Sequence, residues 1–475
     1  MSLKFGTSGL RGLSTDLNGP AAAIYATAFA HYLLSSGQAK PGDPILLGRD
    51  FRDSSPAISA ICAGALTRAG LTVLDCGTVP TPALALYGLE KHAAGLMITG
   101  SHIPADRNGI KFYRPDGEIA KVDEEAISRA AAKVQASSVD ATPGSAADHA
   151  EQAQALFLAR NLAILPAGAL AGLRVGVYQH STVARDLFVD VLNHFGADVV
   201  PLGRSETFIP VDTEAVSSTT IDLLQRWAAE HQLDAIVSAD GDGDRPLVSD
   251  ETGLPLRGDL LGLIAAQFTG AHVAVTPVTS NSGLERQPGL SILRTCVGSP
   301  FVIEGMLEAV RAGKTGVVGF EANGGTLTAT DFTLNGAALK ALPTRDSFLP
   351  VLAVLFAAAR SGKPLSALAA GYALPVALSD RIENFPLETS AALMAELRSG
   401  KDNLARFLKP IGTPGDISDI DGLQVTLTDG GVIHFRPSGN APEMRCYVEA
   451  ETADQAQALL EQGLARIRAF AQGQA

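Results

Sequence analysis

Short apolar runs alternate with stretches of helical periodicity over most of the chain, and one layout recurs. Ile45 to Gly77 reads as an apolar strand, a loop, an apolar-periodic helix and a second strand. Leu173 to Gly203 repeats that order, and Ala271 to Gly298 carries a weaker copy with a Ser/Asn/Gly loop between its two strands. Alternating strands and helices predict parallel βαβ sheets covered on both faces. Three spaced copies predict three related α/β domains, at a spacing far too long for a solenoid. The pattern changes near residue 375. Met444 to Val448 alternates apolar and polar, as a half-exposed strand does. Thr452 and Gln455 have the spacing of a capping box, and Leu460, Leu464 and Ile467 share one face of the helix that follows. The expected domains are therefore α/β over 1–150, 151–256 and 257–372, and α+β over 373–475. Ser137 to Ala150, rich in Ser, Ala and Asp with one Pro-Gly, reads as a loose junction between the first two. Ala21 to Leu34 is too short to span a membrane and is interrupted by Tyr25, Thr27 and His31, so it is expected to be a buried helix.

Composition narrows the function classes. The 475 residues contain 37 Lys plus Arg against 50 Asp plus Glu, a formal charge of −13. A chain this acidic lacks the basic face that nucleic-acid binding needs. With 46% hydrophobic and 18% charged residues it is a folded globular protein, not a disordered one. Cys62, Cys76, Cys296 and Cys446 form no CxxC pair, which argues against a zinc site or a disulfide framework and fits a reducing compartment. Met1 to Gly12 has no apolar core of a signal peptide. The expectation is a soluble cytoplasmic protein with no membrane partner, monomeric or homodimeric.

The sharpest chemical feature is Asp240-Gly241-Asp242-Gly243-Asp244-Arg245, after the strand-like Leu233 to Val237. Carboxylates at every second residue, separated by glycines, can aim oxygens at one point, which suits a hard cation such as Mg²⁺. Without a cation they would repel one another and one would tend to protonate. An EF-hand would place Asp240, Asp242, Asp244 and Glu251 at its ligand positions, but it needs glycine where Arg245 stands, and a helix where this chain has a strand. A solvated acidic turn is the plainer alternative, and the regular alternation argues against it.

Four further motifs sit on glycine-rich loops. Thr99-Gly100-Ser101-His102-Ile103-Pro104 follows the apolar Leu96 to Ile98, so Ser101 is placed as an exposed nucleophile, with His102 beside it able to take its proton or hold its phosphate, although a turn stabilised by hydroxyl hydrogen bonds would look the same. Asn108-Gly109 is a turn signal that returns the chain and brings Lys111 near that loop. Glu321 and Asn323, within Gly319 to Gly325, could bind a vicinal diol such as a sugar's, although a hairpin turn would look the same. Arg436, Ser438, Gly439, Asn440 and Arg445 could cradle a phosphate, as could any surface turn with two arginines. Arg11, within Phe5 to Gly12, is a candidate local cation for a phosphoryl group. Gly313-Lys314-Thr315 imitates the end of a P-loop, but it ends a helix instead of opening one and is read as a C-cap.

With these motifs in this order, the chain resembles the α-D-phosphohexomutase family over nearly its whole length, most closely its bacterial phosphomannomutase/phosphoglucomutase type. The resemblance implies three related α/β domains and a fourth of different fold, arranged around a central cleft. It implies a phosphoserine at Ser101 and a Mg²⁺ held by Ser101, Asp240, Asp242 and Asp244. Arg245, Arg11, Lys111 and His102 would stabilise charge or move the proton. The sugar would meet Glu321 and Asn323, and its phosphate Arg436, Ser438, Gly439, Asn440 and Arg445. The implied reaction moves a phosphoryl group between O1 and O6 of a hexose phosphate, through a hexose 1,6-bisphosphate that serves as intermediate and activator. The fourth domain is expected to close over the cleft. Gly100 and Ile103 replace the usual Ala and Asn, Asn323 the usual Ser, and Asn440-Ala441 the usual Thr-Glu. The Asn-Ala-Pro form of the last loop is more similar to phosphomannomutases than to phosphoglucosamine mutases. Phosphoglucomutase and phosphoglucosamine mutase activity stay open, as do a phosphatase with Asp240 as nucleophile and a silent sugar-phosphate sensor.

Overall fold

The structure, a computed structural model, describes residues 3–6, 9–135, 139–438 and 442–473. The chain divides into two compact units, Met1–Val275 with Gly298–Gly371, and Thr276–Val297 with Tyr372–Ala475.

Among the described residues the first unit holds three larger sheets and a two-stranded one, Phe332–Leu334 with Ala337–Leu339. In the first, strands run in the order Lys4–Gly6, Gly9–Leu13, Arg107–Arg114, Ala94–Ile98, Pro44–Arg49, Thr72–Thr78, Ala147–Asp148. The last four of these run parallel to one another, and Arg107–Arg114 and Gly9–Leu13 join antiparallel. Every residue of Ala94–Ile98 is buried, as expected of a central strand covered on both faces. Helix Pro20–Ser35 is buried on most of its circumference. Its alanines allow close approach to neighbouring helices, and Phe29 meets Phe112 of the sheet edge-on at 5.1 Å.

The second sheet orders Asp198–Leu202, Arg174–Tyr178, Ala235–Ala239 and Pro246–Ser249, with only the last strand antiparallel. In the third, Val273–Pro277 runs parallel to Val317–Phe320, which is followed by the antiparallel Thr326–Thr328 and Leu342–Asp346.

The second unit is built on an antiparallel sheet ordered Val376–Ile382, Met444–Ala450, Val432–Pro437, Leu423–Leu427, Pro414–Ser418. The capping box at Thr452 and Gln455 is formed, and helix Ala453–Ala471 buries Leu460, Leu464 and Ile467. Thr276–Val297, part of the third repeat in sequence, belongs to this unit: Asn281 Nδ2 donates to Pro375 O at 2.8 Å, and Cys296 Sγ to Ile420 O at 3.1 Å. All four cysteines are free. No helix among the described residues is long and apolar enough to cross a membrane.

Two local expectations need correction. Asn108-Gly109 is not a turn but lies inside strand Arg107–Arg114. Asn108 Nδ2 donates instead to the hydroxyls of Ser54 and Ser55, so tertiary bonding overrides the turn preference. The junction over 137–150 is not loose where it is described, since Ala147–Asp148 adds a strand to the first sheet. Arg68 Nη1 and Nη2 also donate to the carbonyls of Thr142 and Asp140.

One buried group gives stability a pH dependence. His180 has its Nε2 at 2.8 Å from Ala239 O, and burial pushes its pKa down to about 4 against the opposing pull of that carbonyl. The folded state therefore keeps His180 neutral while the unfolded chain takes up a proton below about 6.5. Its contribution is complete above that value and is lost as pH falls toward 4. Between pH 6.5 and 5 the loss should be about 1–2 kcal/mol. Chemical-denaturation curves of His180→Gln should show a correspondingly shallower fall than the parent over the same interval.

Candidate active site

Two hairpins and one strand-to-strand loop assemble the site in the first unit. Ser101 lies in the loop between Ala94–Ile98 and Arg107–Arg114. Contrary to the exposed position expected from sequence it is only 1% exposed, and it has φ 55°, a left-handed conformation uncommon outside glycine. Its amide donates to Thr99 Oγ1 at 2.8 Å. Its hydroxyl donates to Asp240 Oδ2 at 2.5 Å and lies 3.2 Å from His102 Nδ1.

Asp240 to Arg245 form the turn of the hairpin between Ala235–Ala239 and Pro246–Ser249. The amides of Asp244 and Arg245 both donate to Asp240 Oδ1 at 3.2 Å, which folds the loop around that carboxylate. Thr81 donates to Asp242 from both its backbone amide and its hydroxyl, and Ser347 Oγ donates to Gly243 O at 2.7 Å. The loop is thus pinned by helix starts that follow strands of the other two sheets.

Sheet register brings in the cations. Arg11 pairs with Gly109 and Leu10 with Ile110, so Arg11 and Lys111 share the face opposite the core residues Leu10 and Ile110. Lys111 Nζ donates to Asp242 Oδ2 at 2.5 Å and to Asp244 Oδ2 at 2.6 Å. Burial works against its charged form, but those two carboxylates outweigh it and raise its pKa. Burial, with the nearby Arg245 and Arg345, lowers Arg11 to about 10. His102 Nδ1 accepts from Arg245 Nη1 at 2.8 Å. Burial and then Arg245 and Arg11 push its pKa down to about 2, so the imidazole is neutral.

The acidic cluster fits a divalent cation. Asp240, Asp242 and Asp244 bring one carboxylate oxygen each within 4.8 Å of one another. Asp242 Oδ1 and Asp244 Oδ1 are buried with no hydrogen-bond partner, a costly state that a hard cation would relieve. Burial, with Asp242 and Asp244 close by, raises the pKa of Asp240 well above the usual carboxylate range. Arg345, Lys111 and Arg245 overcome the same burial at Asp244 and hold it below that range.

Glu321 and Asn323 lie in the hairpin between Val317–Phe320 and Thr326–Thr328. Glu321 Oε2 accepts from Arg345 Nη1 at 2.9 Å, and Arg345 Nε donates to Asp244 Oδ2 at 3.1 Å. Ser101, His102, Lys111, Arg245, Glu321 and the three aspartates are therefore linked by contacts within one unit, and Arg11 lies on the same sheet face as Lys111.

In the second unit, Arg436 and Arg445 stand opposite each other on paired strands, and Arg381 stands opposite Arg445 on the next. Like charges so placed repel, and Arg436 Nε is balanced by Asp421 Oδ2 at 2.9 Å. The Ser438 amide donates to Glu443 O. Gly439 and Asn440 lie outside the described residues.

Each successive part of the chain matches a domain model of one family: phosphoglucomutase/phosphomannomutase domain I over residues 2–138, domain II over 157–253, domain III over 257–374 and the C-terminal domain over 383–465. The chain belongs to the phosphoglucomutase/phosphomannomutase family. Within that family it is 56% identical over 468 residues to a phosphomannomutase of Sinorhizobium fredii, covering 98% of each chain. It is 39% identical to a phosphomannomutase of Salmonella muenchen, over 98% of this chain and 96% of the other. A Thermus thermophilus structure solved as a candidate phosphomannomutase shares the family fold, with a TM-score of 0.76 at 23% identity over 98% of this chain and 99% of that one.

Motif reading missed two arginines. Arg52 gives its Nη2 to Ser101 O and Ile103 O, its Nη1 to Pro104 O and Arg107 O, and its Nε to Asp50 Oδ2. It splints the serine loop from beneath, with its guanidinium 3.9 Å from the Phe208 ring centre. A Cβ on Gly100 would lie 2.6 Å from the central carbon of that guanidinium, so a larger residue at 100 would displace the splint. The polar burst Arg49 to Ser55 between a strand and a helix was the available signal. Arg345, in Thr344-Arg345-Asp346-Ser347, had none beyond its charge.

Proposed function

We propose that the chain interconverts the 1- and 6-phosphates of a hexose, with mannose phosphate as its substrate, through a phosphorylated Ser101 and a hexose 1,6-bisphosphate. The observation that carries this reading is the Ser101 hydroxyl at 2.5 Å from one carboxylate of an aspartate triad whose other two members hold Lys111. The mannose assignment is supported by the two relatives named phosphomannomutase.

In the forward half-reaction the Oγ–P bond of phosphoserine 101 breaks and an O–P bond forms to the free hydroxyl of the sugar phosphate. The hydroxyl proton leaves to a base, and Ser101 Oγ regains one from its surroundings. The bisphosphate turns over and the reverse transfer, from its other end, regenerates phosphoserine. Asp240, Asp242, Asp244 and Ser101 would hold Mg²⁺, which supplies charge neutralisation on phosphoryl oxygens when bound.

This chain's residues supply the rest. Arg245, Arg11 and Lys111 bring positive charge to the transferring group in a buried setting where it counts for more than in water. His102, neutral and already bonded to Arg245, suits a hydrogen-bonding role at the phosphoryl group, and Lys111, whose charged form Asp242 and Asp244 favour, stands as a proton donor and not as the base. Glu321 and Asn323 would engage sugar hydroxyls, and Arg436, Ser438, Gly439, Asn440 and Arg445 the distal phosphate. One cradle must accept either end of the sugar, so it reads phosphate and not the ring. The setting would be the cytoplasm, where hexose phosphates are retained.

The test is a panel of mannose, glucose, glucosamine and N-acetylglucosamine 1-phosphates with Mg²⁺ and bisphosphate activator, beside the intact mass of the purified protein. Mannose 1-phosphate should turn over best, and a fraction of the protein should be one phosphoryl group heavier at Ser101. No turnover of any of the four would overturn the reading.

A further inference from the structure

Arg345 occupies a position that no motif announced. It lies on strand Leu342–Asp346 of the third sheet and is 2% exposed. Its guanidinium reaches two loops that belong to different sheets. Nε donates to Asp244 Oδ2 on the acidic hairpin, and Nη1 donates to Glu321 Oε2 on the Glu321–Asn323 hairpin. Asp244 Oδ2 also receives Lys111 Nζ at 2.6 Å, while the other oxygen of Asp244 is buried without a hydrogen-bond partner. Two cations thus tie down one oxygen of that carboxylate and present the other to the triad. On the opposite side, Glu321 Oε2 is held by Arg345 and, at 3.4 Å, by Asn323 Nδ2.

The chain also makes room for this side chain. A Cβ on Gly325 would lie 2.6, 2.7 and 2.9 Å from the Cδ, Cγ and Cβ of Arg345. The arginine stem therefore fills the volume in which a side chain at 325 would sit. A guanidinium is a rigid planar fork, so the two carboxylates it binds are held at a set separation and angle. A lysine would keep the charge and lose the fork.

We propose that Arg345 is a positioning residue that couples the acidic hairpin to the Glu321 hairpin, so that a cation held by the aspartates and a sugar held by Glu321 each favour the binding of the other. The proposal rests on the hexose-phosphate reading for the identity of the sugar ligand. Coupling of this kind is reciprocal: the factor by which Mg²⁺ strengthens sugar-phosphate binding equals the factor by which the sugar phosphate strengthens Mg²⁺ binding.

The experiment is calorimetric titration of mannose 6-phosphate, with and without Mg²⁺, into the full chain carrying Ser101→Ala so that no phosphoryl transfer intervenes. Mg²⁺ should tighten binding at least about fivefold in that background. Adding Arg345→Lys should bring the factor to within about twofold of one, with Mg²⁺ and sugar phosphate each still binding alone. Gly325→Ala, which alters no charge but displaces the arginine stem, should act in the same direction and decides the matter if the lysine variant does not fold. Retention of the parent's coupling by the folded variant overturns the proposal, and so does an absence of coupling in the parent. Loss of coupling as expected, beside an unmutated chain that turns over no hexose phosphate, leaves the positioning role standing and removes the mutase reading instead.

Discussion

Ser101→Ala should lower turnover of mannose 1-phosphate by at least about 10⁴-fold, with sugar-phosphate binding retained. The variant removes one oxygen, which is the only atom of residue 101 able to carry phosphorus. The neighbouring architecture does not depend on that oxygen. The loop stays braced by Arg52 through four backbone carbonyls, and the Thr99 hydroxyl still accepts the amide of residue 101. Asp240 loses one hydrogen bond and keeps those from the amides of Asp244 and Arg245. A coupled assay beside an intact-mass measurement should therefore show a folded, unphosphorylated, inactive protein. A phosphatase using Asp240 as nucleophile would keep its activity in this variant, and a sugar-phosphate sensor would show no change in binding and no activity in the parent.

Asp240→Asn should cost about 10²–10³-fold in activity and abolish the rise in melting temperature that Mg²⁺ gives the parent. Its effect on the metal-free protein should have the opposite sign. Burial and the nearby Asp242 and Asp244 raise the Asp240 pKa in the fold. A group with a raised folded pKa supports stability at low pH and withdraws it as pH climbs above the unfolded value near 3.8. In EDTA, then, the parent carries a charge penalty at neutral pH that asparagine removes. Oδ1 of the asparagine can still accept the two loop amides, so the local fold survives. Melting curves from pH 4 to 8 in EDTA should show the variant gaining on the parent as pH rises. A variant that is uniformly less stable, with Mg²⁺ still raising its melting temperature, would mean that Asp240 is a structural carboxylate and not a ligand.

Residues on short loops directly after apolar strands were readable from sequence, because their spacing alone puts them at a strand's end. Ser101 and the triad are of this kind, and their meeting needed only that two such loops face each other. Arg345 and Arg52 were not readable. Arg345 meets Asp244 across 101 positions of sequence and Arg52 meets Ser101 across 49. Sheet packing, not local pattern, decides where such a guanidinium ends. Asn108-Gly109 failed for the converse reason: the local preference was real, but Ser54 and Ser55 offered the Asn108 amide better partners within a strand. The capping box at Thr452 involves only residues three positions apart and could be read directly.

The left-handed backbone at Ser101 has a consequence for how such a protein would drift. A serine pays roughly 1 kcal/mol or more to sit at that φ, and glycine reaches it without steric cost. Among heat-selected variants, replacement by glycine should be a recurrent gain, and each such gain would be a dead catalyst. Only a screen that demands product keeps the less comfortable residue in place.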